Sequence, residues 1–213
     1  MWTRKELKDR TKQVMSRSYG KMFIVAFLAS LIYAAVNVDV ETITSEPYIA
    51  SLLAISFILL GVFAVNPIVV GASRFFLLNT EGDTKISEVF SMFKFDYWNV
   101  VKVMLMQRIK VILWTLCFIV PGIIKAYEYS MIPYILAEDS STPMKDAFAM
   151  SKKMTDNQKM DMFILDLSFI GWFLLGSLAC GIGALFVAPY TSGTQAELYK
   201  ALKEPEELPD LPL

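Results

Sequence analysis

Three stretches of this chain carry no charged residue: Glu46 to Arg74, Lys110 to Lys125, and Asp166 to Glu197, counting between the named residues. About 20 apolar residues cross a bilayer as an α-helix. The first and third stretches are long enough to do so, and the third is too long for one ordinary span. Hydrophobic residues make up 55% of the chain and charged residues 19%, whereas a soluble domain carries about 25% charge. Within lipid every backbone polar group must be satisfied internally. Continuous apolar runs of this length therefore predict an all-α integral membrane protein.

Charge and composition also narrow the chemistry. Histidine is absent and there are two cysteines, Cys117 and Cys180, in no Cys-x-x-Cys pair. The commonest general base and the commonest metal ligands are thus missing, so no metal or cofactor is expected. A net charge of −1 without a basic tract gives no reason to expect nucleic acid. Phosphate-binding glycine loops and zinc-protease motifs are missing too, and no enzymatic activity is expected. Both cysteines fall near expected outer turns and are expected to be buried, free thiols. Whether they lie near each other is left open.

Read in order, the chain alternates surface helices with apolar hairpins. Thr3 and Glu6 have capping-box spacing, with Trp2 and Leu7 at staple positions. A basic helix follows, carrying Arg4, Lys5, Lys8, Arg10, Lys12 and Arg17, which suits an anionic lipid surface. The first span is 22–38, longer than the core of a secretory signal. The second is 48–78, where Pro67 is expected to free the carbonyl of Phe63 and bend the helix. A polar linker then leads into an amphipathic helix with Ile86, Val89, Phe90 and Phe93 on one face. The third and fourth spans, 98–120 and 123–137, turn at Pro121-Gly122, and Pro133 lies in the fourth. A second linker helix starts at Thr142-Pro143, with Met144, Ala147, Phe148 and Ser151 on one face. The fifth span is 160–179 and the sixth 184–202, with Gly181-Ile182-Gly183 as their turn and Pro189 inside the sixth. Residues 204–213, with three prolines and four acids, read as a loose acidic tail.

The resulting expectation is a single membrane domain over 1–213, a six-helix transmembrane bundle built from three helical hairpins, each preceded by a cytoplasmic amphipathic helix. Lys and Arg concentrate in the N-terminus and the two linkers, so the positive-inside rule places both termini and both linkers in the cytoplasm. Ile86-Ser87-Glu88-Val89-Phe90-Ser91-Met92-Phe93 aligns with Met144-Lys145-Asp146-Ala147-Phe148-Ala149-Met150-Ser151. Pro67, Pro133 and Pro189 recur as helix kinks before each cytoplasmic end. These features suggest a threefold repeat, 1–79, 80–139 and 140–203, related by an axis along the membrane normal.

Val120-Pro121-Gly122-Ile123-Ile124-Lys125-Ala126-Tyr127, Met131-Ile132-Pro133-Tyr134-Ile135-Leu136-Ala137-Glu138-Asp139, Leu167-Ser168-Phe169-Ile170-Gly171-Trp172 and Ala188-Pro189-Tyr190 form a series. It resembles the bacterial membrane family catalogued as domain of unknown function nine-seven-five, over nearly the whole chain. More loosely it is similar to the membrane domain of some glycerophosphodiester phosphodiesterases, whose catalytic domain has no counterpart in these residues. The resemblance implies a multi-pass protein of the bacterial plasma membrane. It implies no activity and transfers no catalytic or binding residues.

Charges inside the expected spans are the remaining site candidates. A charge at mid-bilayer costs about 2.5–3.5 kcal/mol on insertion scales, so it faces a partner or a cavity. Asp166 in the fifth span is expected to pair with Arg108 in the third, or otherwise with Lys102. Gln107, Lys125 and Glu128 are further intramembrane polar groups. Two functional readings follow. One is a non-enzymatic interaction, accessory or membrane-homeostasis protein, its partners the lipid bilayer and other membrane proteins. The other is a small transporter or lipid-handling protein using proline-broken helices and buried charges. The ligand, if any, is not specified by the sequence.

Overall fold

The structure, a computed structural model, describes residues 2–36, 38, 39, 42–178 and 182–203. Among these residues every regular element is helical. Helix α1 (Arg4–Val36) merges the expected basic helix and first span. Its N-terminus is capped as read: the Glu6 amide donates to Thr3 Oγ1 at 3.2 Å. The Glu6 carboxylate does not complete the box and binds Arg10 at 2.6 Å instead. The join between the two parts is Ser18, at φ −141° and ψ 22°. Its hydroxyl donates to the Val14 carbonyl and accepts from Asn79 Nδ2. A serine bonded back to the preceding turn bends a helix, and here the bend is held by a second element.

The basic N-terminal part does not simply lie on lipid. Leu7, Thr11, Val14 and Ser18 form a buried stripe at helical spacing, packed on α9 (Ile182–Lys203). A Cβ at Gly193 of α9 would stand 2.8 Å from Thr11 Cγ2 and 3.0 Å from Met22 Cε, so glycine sets this close approach.

The second apolar run is continuous but not uniform. Helix α2 (Pro47–Leu60) passes through a π-helical turn (Gly61–Val65) into α3 (Asn66–Glu81). The π turn sits just before Pro67, where a missing N–H and the ring's bulk disturb the hydrogen-bond ladder. The Phe63 carbonyl accepts from the Tyr97 hydroxyl at 2.7 Å, so the group that proline frees finds a partner on another helix. α1 and the run Pro47–Glu81 are the two helices, among the described residues, long and apolar enough to cross a membrane.

The first linker helix differs from expectation. Ile86–Phe93 is a 3₁₀ helix. With three residues per turn, Val89 and Met92 turn inward and Ile86 is half-buried, while Phe90 and Phe93 are 48% and 42% exposed. Val89 packs so tightly on α3 that a Cβ at Gly71 would fall 1.9 Å from its carbonyl oxygen.

Helix α4 (Tyr97–Cys117) is followed by α5 (Ile119–Glu128). The chain reverses at Phe118, in extended conformation at φ −157° and ψ 141°. This corrects the turn placed at Pro121-Gly122. Pro121 instead occupies the first turn of α5, where its missing N–H breaks no bond. Gly122 is the contact point with α4: a Cβ there would meet Thr115 Oγ1 at 2.3 Å. The expected fourth span breaks after Glu128 and resumes as α6 (Ile132–Glu138), with Pro133 in its first turn. Helix α7 (Met144–Met154) buries Ala147, Phe148, Ser151 and Met154, close to the face read from the sequence. Helix α8 (Lys159–Leu178) then pairs with α9, and a Cβ at Gly183 would lie 2.5 Å from Gly176 Cα. Gly183 lies within α9, not in a turn; Gly181 and Cys180 lie outside the described residues, as does the tail 204–213. Pro189 is inside α9 as expected.

Burial and exposure divide along the hairpins. Met131, Ile132, Ile135 and Leu136 of the α5–α6 region, Val100, Val103 and Met104 of α4, and Leu198 and Tyr199 of α9 share one core. A second core joins Met22, Val25 and Ala26 of α1 to Phe75 and Phe76 of α3. The hairpin tips expose large apolar side chains: Leu116 78%, Phe118 74% and Ile119 71%. No residue of α2 is buried. Cys117 is exposed at the α4 tip, not buried as expected.

Candidate functional site

Ion pairs gather where the linkers meet the helix ends. Lys21 binds Asp83, Arg74 binds Glu88, Lys200 reaches Glu81 and Lys203 binds Glu138. Arg17 donates to the carbonyls of Asn79 and Thr80, and Arg74 donates to that of Ala137. These carbonyls end α3 and α6, where unpaired C=O groups and the helix dipole favour a cation. A cleft of about 440 Å³ opens among Arg74, Leu77, Glu138, Tyr199 and Lys203. Burial pushes the Glu138 carboxyl up, but hydrogen bonds from Lys203 and Tyr199 outweigh it and hold Glu138 below the ordinary carboxylate value. Every cation on this cleft has a carboxylate partner, so it carries no surplus charge for an anion.

Asp166 does not take the partner expected of it. Its carboxylate accepts from the Tyr127 hydroxyl and from Gln195 Nε2, both at 2.9 Å. Neither Arg108 nor Lys102 is joined to it. Lys102 is exposed on α4. Sequence spacing gave Asp166 and Arg108 compatible depths, but α8 packs against α9 and α5. Those two helices supply neutral donors first, and a polar residue in a bundle bonds to the donor that packing delivers. Tyr127 and Gln195 carried no signal of their own in the sequence.

A second polar centre surrounds Glu128, which is 5% exposed. Lys125 Nζ binds it at 2.7 Å and Lys159 Nζ stands at 4.0 Å. Its backbone carbonyl accepts from Ser151 at 2.7 Å, tying α7 beneath the hairpin. Lys110 lies 3.7 Å over the Phe148 ring, a cation–π contact worth about 0.5–2 kcal/mol. The Lys125–Glu128 pair was legible as an i,i+3 spacing, which brings helical side chains together. Its aromatic surroundings were not.

Two cavities face the hairpins. One, of about 380 Å³, is lined by Ser30, Ser73, Phe76, Tyr134 and Ser192 and carries hydroxyls without charge. The other, of about 480 Å³, lies between α1, α2 and α4 and includes Arg108. Nearby in sequence, the amide of Asn66 is fully buried with neither atom bonded to protein. It precedes Pro67 directly, at the end of the π turn.

Lys8 Nζ donates to Ser168 Oγ at 2.7 Å, a pairing that resembles a nucleophile and its base. Burial, then Arg4 and Lys12, lower the Lys8 pKa. Ser168, however, sits in mid-helix with its hydroxyl turned to the Leu165 carbonyl. Its neighbours' amides are committed to the helix, so they offer no oxyanion donors. Among the described residues no group of three or more His, Cys, Asp or Glu is arranged to hold a metal ion.

The fold and these centres define an all-helical protein with apolar hairpins and charge-paired linkers. Residues 118–206 match the family model described as Protein of unknown function (DUF975). This is the uncharacterised family that the motifs from Val120 to Tyr190 resemble, and the match runs from the reversal at Phe118 through the third hairpin, leaving out α1 to α4, rather than covering nearly the whole chain. No curated protein and no solved structure matches the chain.

Proposed function

We propose that this chain is a six-span protein of the bacterial plasma membrane with both termini cytoplasmic, acting without catalysis as an accessory or membrane-homeostasis protein. The observation that carries the reading is the surface of α2. All its residues are apolar or uncharged, none is buried, and Ile55 and Ile58 are 55% and 65% exposed. A first hairpin continuous with the basic N-terminal helix, and two more entered from ion-paired linkers, support the topology. An apolar helix that its own bundle leaves uncovered suits contact with lipid or with another membrane protein.

A photo-crosslinking residue at Ile55, compared with one at Ile123 on α5, tests this role. A discrete membrane-protein adduct at Ile55, absent at Ile123, is expected. Adducts to lipid alone at both positions would defeat the accessory reading. The second reading is lipid handling or small-solute transport, and the Arg108 groove and the hydroxyl-lined cavity favour it.

A further inference from the structure

Among the cavities, the groove between α1, α2 and α4 combines apolar walls with a cation lacking a partner. Phe57, Ile58 and Val62 line one side and Ile109 and Ile112 the other, with Asp39 also on its lining. Arg108 is partly buried there, its Nη1 4.0 Å from the position a Cβ would take on Gly61. Among the described residues Arg108 makes no hydrogen bond or ion pair. Arg10, Arg17 and Arg74 all make them, and Arg4 is exposed near the N-terminus. No ion pair joins Asp39 to Arg108.

We infer that this groove binds an anionic phospholipid, its phosphate on the Arg108 guanidinium and the start of its acyl chains along α2 and α4. Three features converge on that ligand. A guanidinium presents a planar fork of donors that matches phosphate oxygens two at a time. A cation in a membrane-facing groove requires a counter-charge, and among the described residues none forms an ion pair with Arg108. Apart from Asp39, the walls around the cation are hydrocarbon, which suits chains and not a free, hydrated anion. A zwitterionic lipid would bring its own ammonium beside the guanidinium, so net negative headgroups are preferred. Gly61 leaves room beside the guanidinium: a Cβ there meets only Arg108, at ordinary contact distance. The inference rests on the membrane reading. That reading fails separately, if the chain is recovered in the soluble fraction without detergent.

The test uses the full chain purified in detergent and native mass spectrometry with phosphatidylglycerol or phosphatidylcholine. The wild type is expected to retain one phosphatidylglycerol at least tenfold more tightly than phosphatidylcholine. Arg108→Gln should abolish that preference, while Lys102→Gln should leave it intact. Ala54→Trp narrows the groove from α2, which has no buried residue, and should also release the lipid; this variant decides the matter if Arg108→Gln does not fold. Millimolar inorganic phosphate should not displace the lipid. Equal retention of both lipids, retention unchanged in Arg108→Gln or Ala54→Trp, or displacement by phosphate alone would each overturn the inference.

Discussion

Replacing Gly71 by alanine isolates the contact that seats the first linker on α3. The added Cβ would fall 1.9 Å from the Val89 carbonyl oxygen and 2.6 Å from its carbon. A carbon–oxygen contact settles at about 3.3 Å or more, so the linker must retreat by about 1.4 Å. Overpacking of this kind costs about 1–3 kcal/mol, occasionally more. The obstructing atoms are backbone, which a rotamer change cannot move. If the linker instead lifts away, Val89 and Met92, each 1% exposed, forfeit burial worth about 1.5–3 kcal/mol apiece. The chain takes the cheaper route, so the expected loss is about 1–3 kcal/mol. Gly20→Ala is the control: nothing lies within 4 Å of its Cβ position. There the helix preference for alanine, about 0.8–1.0 kcal/mol, predicts unchanged or higher stability. Denaturant unfolding in detergent micelles, followed by tryptophan fluorescence, compares the two. Equal stabilities for Gly71→Ala and Gly20→Ala would refute the packing argument.

Tyr97→Phe removes the donor to the Phe63 carbonyl beside the π turn and should cost about 1 kcal/mol in the same assay. Asp166→Asn should lose no more than about 1.5 kcal/mol, because Tyr127 and Gln195 can still bond a neutral amide. A double variant with Arg108→Gln should be additive within about 0.5 kcal/mol, and clear rescue would restore the ion pair that the geometry lacks. Glu138 has a folded pKa below its unfolded one, so its stabilisation is complete above the unfolded value, about 4.3. It disappears as pH falls through the folded value. Thermal melts of wild type and Glu138→Gln should therefore differ at neutral pH and converge in acid.

What could be read from the residues follows from how far each signal reaches. The Thr3 cap, the disturbed hydrogen-bond ladder before Pro67 and the inward face of α7 are local effects, fixed by spacing within a few residues. The reversal at Phe118 escaped because proline and glycine read as a turn, while here proline starts a helix and glycine admits Thr115. The first linker's faces shifted because a 3₁₀ helix repeats every three residues, a choice imposed by the close seat on Gly71. Asp166 went to Tyr127 and Gln195 because charge and depth say nothing of which helix lies alongside. The groove around Arg108 depends on α2 standing apart from the bundle, which apolar composition alone does not distinguish from burial.

The central claim is the topology, and single-cysteine labelling in intact cells tests it most directly. With Cys117 and Cys180 replaced, Ile43→Cys and Phe118→Cys should react with a membrane-impermeant maleimide. Asp83→Cys and Ser141→Cys should react only after the cells are opened. Labelling at 83 or 141 in intact cells, or protection at 43 and 118, would contradict six spans with cytoplasmic linkers.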